Sequence, residues 1–440
     1  MTQTIEGPTL EACVARHAAE APGRVAVVDG DERVSYAQLL ALANERRWAL
    51  GEVQGRMVPL RASSSVQFLA HYLAIHMAGG VAVPLDGGLP HEAFARHKAD
   101  AAATVVPEGT ADVLYTTGTT GHQKGVVVSH RALMANAANL VEAQGYGAGL
   151  TFVVCGPLNH IGSLSKVWAT LAAGGTLCLV DGMKNMDIFF RAVEAAAGPV
   201  ATFLVPASIR MLMTFAAPRL QACGGKMAFV ETGAAPMAAA DMQRLCMLLP
   251  HSRLYNTYAS TETGIVATYN YNDAECAAGC VGRAMRHSAF DVTGDGLVVC
   301  RGATLMTGYL GDAEATRRVL HDGALHTADR GSIDARGRLH LLGRNDDVLN
   351  IGGFKVAPTE VEDAAMAFPL VTECVCTAVA HPVLGMALKL IVVAAGTFRS
   401  RDLALFLKAR LEPHKVPVVY EQVAEIRRTF NGKVDRKSYR

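Results

Sequence analysis

The chain has 440 residues, 50% apolar and 18% charged, with a formal net charge of +1. That length exceeds what one hydrophobic core normally serves, so two or more domains are expected, and the apolar share excludes a disordered chain. The near-zero charge excludes the concentrated basic surface that attracts nucleic acid and leaves small molecules or a protein domain as partners.

The opening residues Met1 to Glu6 lack the basic and apolar regions of a signal peptide, and no run reaches membrane-spanning length. The ten cysteines show no C-x-x-C pair and no clustering with histidines at zinc spacing. Scattered buried thiols suit a reducing compartment, so a cytoplasmic location is expected.

Leu10 to Ala19 has amphipathic spacing, Val25 to Val28 is a short apolar strand, and Ser35 to Gly51 returns to helical period with Ser35 as N-cap. Short strands at Val81 to Leu85, Val113 to Tyr115, Thr151 to Val154, Leu177 to Val180 and Ala201 to Val205 alternate with helices. This predicts an α/β fold whose mostly parallel sheets carry flanking helices, with ligands at the loops where strands end. From Val281 to Gly343 the texture becomes β-rich, with hairpin turns at Gly294-Asp295-Gly296 and Ala335-Arg336-Gly337. Beyond Arg344-Asn345-Asp346-Asp347 a compact α+β unit follows. It has a helix from Thr359, strands near Val371 to Val379 and Lys389 to Val393, and a helix from Arg401 to Leu411. The expected division is a large domain of residues 1–344 and a small domain of residues 345–440.

The loop Tyr115-Thr116-Thr117-Gly118-Thr119-Thr120-Gly121-His122-Gln123-Lys124-Gly125 follows an apolar run and ends in a lysine. Glycines let backbone N–H groups approach an anion, threonine hydroxyls add donors and Lys124 adds charge, so the loop reads as a phosphate cradle. A flexible surface turn is the other reading. The pattern G-x-x-x-x-G-K-[ST] is absent: Lys124 lies between Gln123 and Gly125, while Gly225-Lys226 and Gly432-Lys433 lack the upstream glycine and the following hydroxyl. A kinase-like or GTPase-like function is therefore disfavoured.

Further motifs follow in order: Asn256-Thr257-Tyr258-Ala259-Ser260-Thr261-Glu262, His326-Thr327-Ala328-Asp329, Gly343-Arg344-Asn345-Asp346-Asp347 and Asn431-Gly432-Lys433-Val434-Asp435. With the 115–125 loop, and with Ala78 to Leu85 and Thr307-Gly308-Tyr309-Leu310 between them, they resemble the core motifs of the adenylate-forming superfamily. That superfamily contains acyl-CoA synthetases, aryl-CoA ligases, peptide-synthetase adenylation domains and firefly luciferase.

The resemblance implies that ATP and a carboxylic acid form an acyl adenylate, after which a thiol takes the acyl group. Thr116, Thr117, Gly118, Thr119, Thr120, Gly121 and Lys124 would hold the β- and γ-phosphates. Thr261 would contact the α-phosphate and Glu262 would hold Mg²⁺, a cation that prefers hard oxygen ligands. Within the Asn256 to Glu262 segment Asn256 belongs to the nucleotide site, and Tyr258 would stack on adenine. Gly233, Ala234 and Ala235 would line the base pocket, with Asp329 and Arg344 on the ribose. Lys433, on a mobile C-terminal domain, would stabilise the adenylation transition state, and Asp346 falls at the hinge. Gly352 and Gly353 resemble the segment that lines a pantetheine tunnel.

The stretch Gly156 to Leu164 carries no acid to pair an α-ammonium, which disfavours an amino-acid substrate and points to a fatty or aryl acid; His160 matches a residue that gates the acyl site. Ala259, Ala328, Gln123 and His326 depart from the usual family residues, and the stretches His91 to Val113 and His287 to Leu297 are shorter than in relatives. The expected activity is that of an acid–thiol ligase using ATP, Mg²⁺ and CoA. The alternatives are delivery to a carrier-protein phosphopantetheine, for which Arg399, Arg401, Lys408 and Arg410 offer a basic docking face, and a catalytically silent acyl- or nucleotide-binding protein.

Overall fold

A computed structural model of the chain describes residues 7–117, 123–273, 275–351, 354–381, 385–429 and 434–439. The predicted sites Gly118, Thr119, Thr120, Gly121, Gly352, Gly353 and Lys433 lie outside them.

Parallel strands form the centre of the largest sheet. Val25–Asp29, Thr176–Leu179, Thr151–Val154, Val200–Phe203, Met227–Thr232 and Arg253–Ser260 pair in that spatial order, all parallel. Buried on both faces, they read as the short apolar runs found in the sequence. At Arg253–Ser260 the polarity changes: Gly264–Asn270 pairs with it antiparallel, and Cys280–Ala284 follows antiparallel. The path then continues through Leu339–Arg344, Ala324–Ile333, Leu297–Gly302 and Ser288–Val292, the β-rich region expected from its glycine-marked hairpins.

A second sheet has the order Gly308–Tyr309, Gln123–Ser129, Thr110–Thr117, Val81–Leu85 and Met57–Arg61. Its antiparallel pair Thr110–Thr117 and Gln123–Ser129 flanks the predicted phosphate loop, with Thr116 opposite Lys124.

Helix ends follow local chemistry. Ser35 caps the helix Tyr36–Leu50: its hydroxyl accepts from Gln38 N while the Gln38 side chain accepts from Ser35 N, a reciprocal capping box. Ser129 likewise caps His130–Gln144 by accepting from Ala132 N. The helix Ile161–Ala172 is buried along nearly its whole length and carries Lys166 into the interior. There the Lys166 Nζ meets Glu231 Oε1 at 2.7 Å and lies 5.2 Å from the centre of the Phe203 ring. Burial pushes the Lys166 pKa below its ordinary value, and the Glu231 charge opposes that shift.

The last part of the chain has its own core. Val371–His381, Gly385–Ala394 and Val419–Gln422 form a sheet, against which Pro358–Met366 and Ser400–Lys408 pack through Val361, Ala365, Leu403 and Leu407. Glu362 accepts both terminal nitrogens of Arg436, at 2.7 and 2.6 Å, and so fastens the final segment to this unit. Arg428 and Val434, on either side of residue 433, pair as an antiparallel bridge. Among the described residues no helix is long and apolar enough to cross a membrane.

A buried ion pair is costly to break by halves. Glu231→Ala should lower stability by about 3–5 kcal/mol, because Lys166 stays buried without its counter-charge. The double substitution Lys166→Met with Glu231→Leu should recover most of that loss. Chemical denaturation of the variants measures both, and equal losses in the single and the double variant would contradict the assignment.

Candidate functional site

The site is assembled where the central parallel strands end and the two sheets come together. The strand Arg253–Ser260 turns sharply into Gly264–Asn270. In that turn Ser260 N donates to Thr263 Oγ1 at 2.9 Å, and Thr263 N donates to Ser260 Oγ at 3.0 Å. This reciprocal pair braces the tip that carries Thr261 and Glu262, both half-buried. Met306 N donates to the Glu262 carbonyl at 2.9 Å, holding the same tip from the following segment.

Tyr309 joins Glu262 to Lys124. Its hydroxyl donates to Glu262 Oε1 at 3.1 Å, and the Lys124 ammonium sits 4.5 Å from its ring centre. Burial and the Glu262 carboxylate raise the Tyr309 pKa, while the positive charge of Arg344 opposes the rise. Leu310 N donates to Gly125 O at 2.7 Å and Thr307 N to Val127 O at 2.8 Å, so the Tyr309 segment is stitched onto the strand that carries Lys124. Gly125 permits this approach: a Cβ there would lie 3.1 Å from both Leu310 Cβ and Val113 Cγ1.

The second cluster is formed by Tyr258 and Asp329. The Tyr258 hydroxyl donates to Asp329 Oδ2 at 2.6 Å, and Asp329 pairs across strands with Arg344. Burial and then the Asp329 charge push the Tyr258 pKa far above its ordinary value, so it remains a donor. Asp329 N in turn donates to Thr327 Oγ1 at 3.1 Å.

Gly233 follows the strand Met227–Thr232 and lies against the Thr257 carbonyl, which a Cβ would meet at 2.8 Å. Ala234, next in the chain, has φ of 64°, left-handed backbone that a non-glycine residue adopts at a cost of about 1–3 kcal/mol. Ala234 is exposed and Ala235 half-buried, so this turn faces the outside at the end of the parallel strands. Asn256 is directed inward instead: its Nδ2 donates to Cys280 O at 2.8 Å and ties two strands together. His160 is the N-cap of Ile161–Ala172. Asp346 falls in the single turn Asn345–Asp347 that follows the strand Leu339–Arg344.

The structure thus brings Lys124, Glu262, Tyr258, Asp329 and Arg344 to one region, with Tyr309 as the link. The sequence motif Thr307 to Leu310 marked Tyr309 without a role, and the apolar helix around Lys166 gave an overlooked signal: a lysine with no exposed face to occupy.

A family model described as "AMP-binding enzyme" matches residues 14–112 and 97–310, and one described as "AMP-binding enzyme C-terminal domain" matches residues 360–433. Indoleacetate–CoA ligase of Aromatoleum aromaticum is 28% identical over 81% of this chain and 72% of its own length. A probable non-canonical nonribosomal peptide synthetase of Salinispora arenicola is 28% identical over 98% of this chain, which corresponds to 6% of that much longer protein. The crystal structure of ATP-bound MatB from Rhodopseudomonas palustris superposes with a TM-score of 0.86 at 26% identity, covering 98% of each chain. The chain belongs to the AMP-binding enzyme family.

Proposed function

We propose that this protein is an ATP-dependent acid–thiol ligase that activates an aryl or fatty acid as its acyl adenylate and transfers the acyl group to CoA. The observation that carries this reading is the Lys124–Tyr309–Glu262 chain beside the Tyr258–Asp329 pair. It gives one crevice a cation for phosphates, a hard oxygen ligand for a divalent ion and a carboxylate for a ribose.

In the first half-reaction a carboxylate oxygen of the acid attacks the α-phosphorus of ATP. The new O–P bond forms as the bond to the bridging oxygen breaks, and pyrophosphate leaves. Two anions must meet, so charge neutralisation dominates the barrier. Lys124 and the 116–121 loop hold the β- and γ-phosphates, Thr261 contacts the α-phosphate and Lys433 approaches the transferring centre. Glu262, held by Tyr309, suits Mg²⁺, which would offset the phosphate charge. Tyr258 fixes Asp329 for the ribose, and its ring would stack on the base beside Gly233 to Ala235.

In the second half-reaction the thiol sulfur attacks the acyl carbon, AMP leaves with the electron pair of the broken C–O bond, and the thiol proton passes to solvent. A hinge at Asp346 exchanges Lys433 for the face that carries Gly352 and Gly353, opening a path for pantetheine. The absence of an acid in Gly156 to Leu164 and the apolar helix that follows support an aryl or fatty substrate, with His160 at the entrance. A cytoplasmic setting, where ATP and CoA are supplied, fits this activity. Delivery to a carrier-protein phosphopantetheine uses the same thiol arm and is favoured by the similarity to a peptide synthetase.

Pyrophosphate release should require an acid from a panel of benzoates, cinnamates, indole acids and fatty acids, and should turn over repeatedly only with CoA. A single stalled turnover would assign a carrier protein, and no release with any acid would contradict the ligase reading. Tyr309→Phe keeps the ring under Lys124 but removes the donor to Glu262; kcat/KM for ATP should fall about 10-fold, the scale of one hydrogen bond to a charged group. An unchanged value would remove Tyr309 from the site. Lys433→Ala should slow adenylation by about 10²-fold or more while sparing thioester formation from supplied acyl adenylate, and equal loss in both half-reactions would count against its role.

A further inference from the structure

Away from the nucleotide crevice, Glu11, His76 and His130 converge from three helices. Glu11 lies in the first turn of Leu10–Glu20, His76 in the last turn of Val66–Met77, and His130 opens His130–Gln144. One ligand atom from each lies within 4.8 Å of the others. Glu11 Oε2, His76 Nδ1 and His130 Nδ1 are all buried and have no hydrogen-bond partner among the described residues. Orphaned buried polar atoms are costly, and here three of them belong to side chains that converge.

The surroundings fix their chemistry. His76 is 3% exposed, and its Nε2 donates to Asp112 Oδ1 at 3.0 Å. Asp112 in turn accepts from Tyr72 Oη at 2.7 Å, and Tyr72 accepts from Trp168 Nε1 at 2.9 Å. With the proton on Nε2, a neutral His76 ring would leave the lone pair of its unpartnered Nδ1 for a metal ion. A carboxylate behind the far nitrogen of a histidine is the arrangement that orients imidazoles on metals. The His76 and His130 rings meet edge to face, with centroids 5.1 Å apart and planes at 72°.

We propose that Glu11, His76 and His130 form a structural site for a zinc-like divalent transition metal. Two imidazole nitrogens and one carboxylate oxygen suit Zn²⁺, whereas Mg²⁺ prefers oxygen alone, so this site is separate from any nucleotide-bound magnesium. A divalent cation would also offset the buried charge of Glu11 and Asp112. Ligands at about 2.0–2.2 Å from one ion must draw closer than this spacing, and Glu11 is half-buried in the first turn of its helix. The bound ion would clamp the N-terminal helix onto the base of the Thr110–Thr117 and Gln123–Ser129 hairpin. Asp112 and His130 lie there, at the end opposite residues 118–122.

The test uses full-length protein produced without a polyhistidine tag. Elemental analysis after dialysis should find about one zinc per chain. Chelation should lower the thermal midpoint by about 5 °C, and Zn²⁺ but not Mg²⁺ should restore it. Glu11→Gln and His130→Asn should each cut the zinc content to about a tenth and abolish the Zn²⁺-dependent shift. The proposal is overturned if wild-type protein neither holds zinc nor gains stability from added Zn²⁺. It is equally overturned if the variants keep the full zinc content, which would place the metal elsewhere, for instance at Cys246 and Cys276, whose sulfurs are 3.7 Å apart.

Discussion

The change of strand polarity at Arg253–Ser260 is the constraint on which the site depends. This strand is parallel to Met227–Thr232 on one side and antiparallel to Gly264–Asn270 on the other. A parallel neighbour needs a helical crossover, so the loops at its end are spaced apart and leave a crevice. An antiparallel neighbour needs only a tight turn, which here is the braced tip bearing Thr261 and Glu262. One strand therefore delivers a rigid acidic tip into a crevice opened by its other flank. Gly233, pressed on the Thr257 carbonyl, shows how closely the two sides approach.

The second requirement is that the two sheets stay in register with each other. The Tyr309 segment does this through backbone bonds to Gly125 and Val127 and through its side chain to Glu262. A phenol suits the task, because its face attracts the Lys124 ammonium while its hydroxyl donates to a carboxylate. Opposite charges are thereby held near one another without collapsing into a direct ion pair, and each remains available to a ligand. On the proposed reading that preorganisation is what the adenylation step draws upon.

Much of the fold was legible because it rests on local rules. The strand Thr151–Val154 and the Ser35 N-cap follow from an apolar run and from a serine placed just before a helical period. The hairpins of the β-rich region follow from their glycines. Ends were less legible: the last long helix is Ser400–Lys408, and the extension read to Leu411 gives way to turns in which Arg410 and Leu411 N–H groups share the Leu407 carbonyl. The motifs picked out Lys124, Glu262, Asp329 and Arg344, which the fold brings near one another, because motif order along the chain is specific even where single residues are not. Contacts between distant positions were not legible. Lys124, Glu262 and Tyr309 meet only through packing of two sheets, and Asn256 looks identical in sequence whether it faces a ligand or, as here, the Cys280 carbonyl. Glu11, His76 and His130 have no characteristic spacing, since they come from three different helices.

The central claim is that the acid's own oxygen attacks the α-phosphorus of ATP. Its most direct measurement is isotope transfer, with an accepted acid labelled with ¹⁸O in its carboxylate and turned over with ATP and CoA. The account predicts one labelled oxygen in the AMP released and none in pyrophosphate. Label recovered in inorganic phosphate, with ADP as the nucleotide product, would mean attack at the γ-phosphorus and would contradict it.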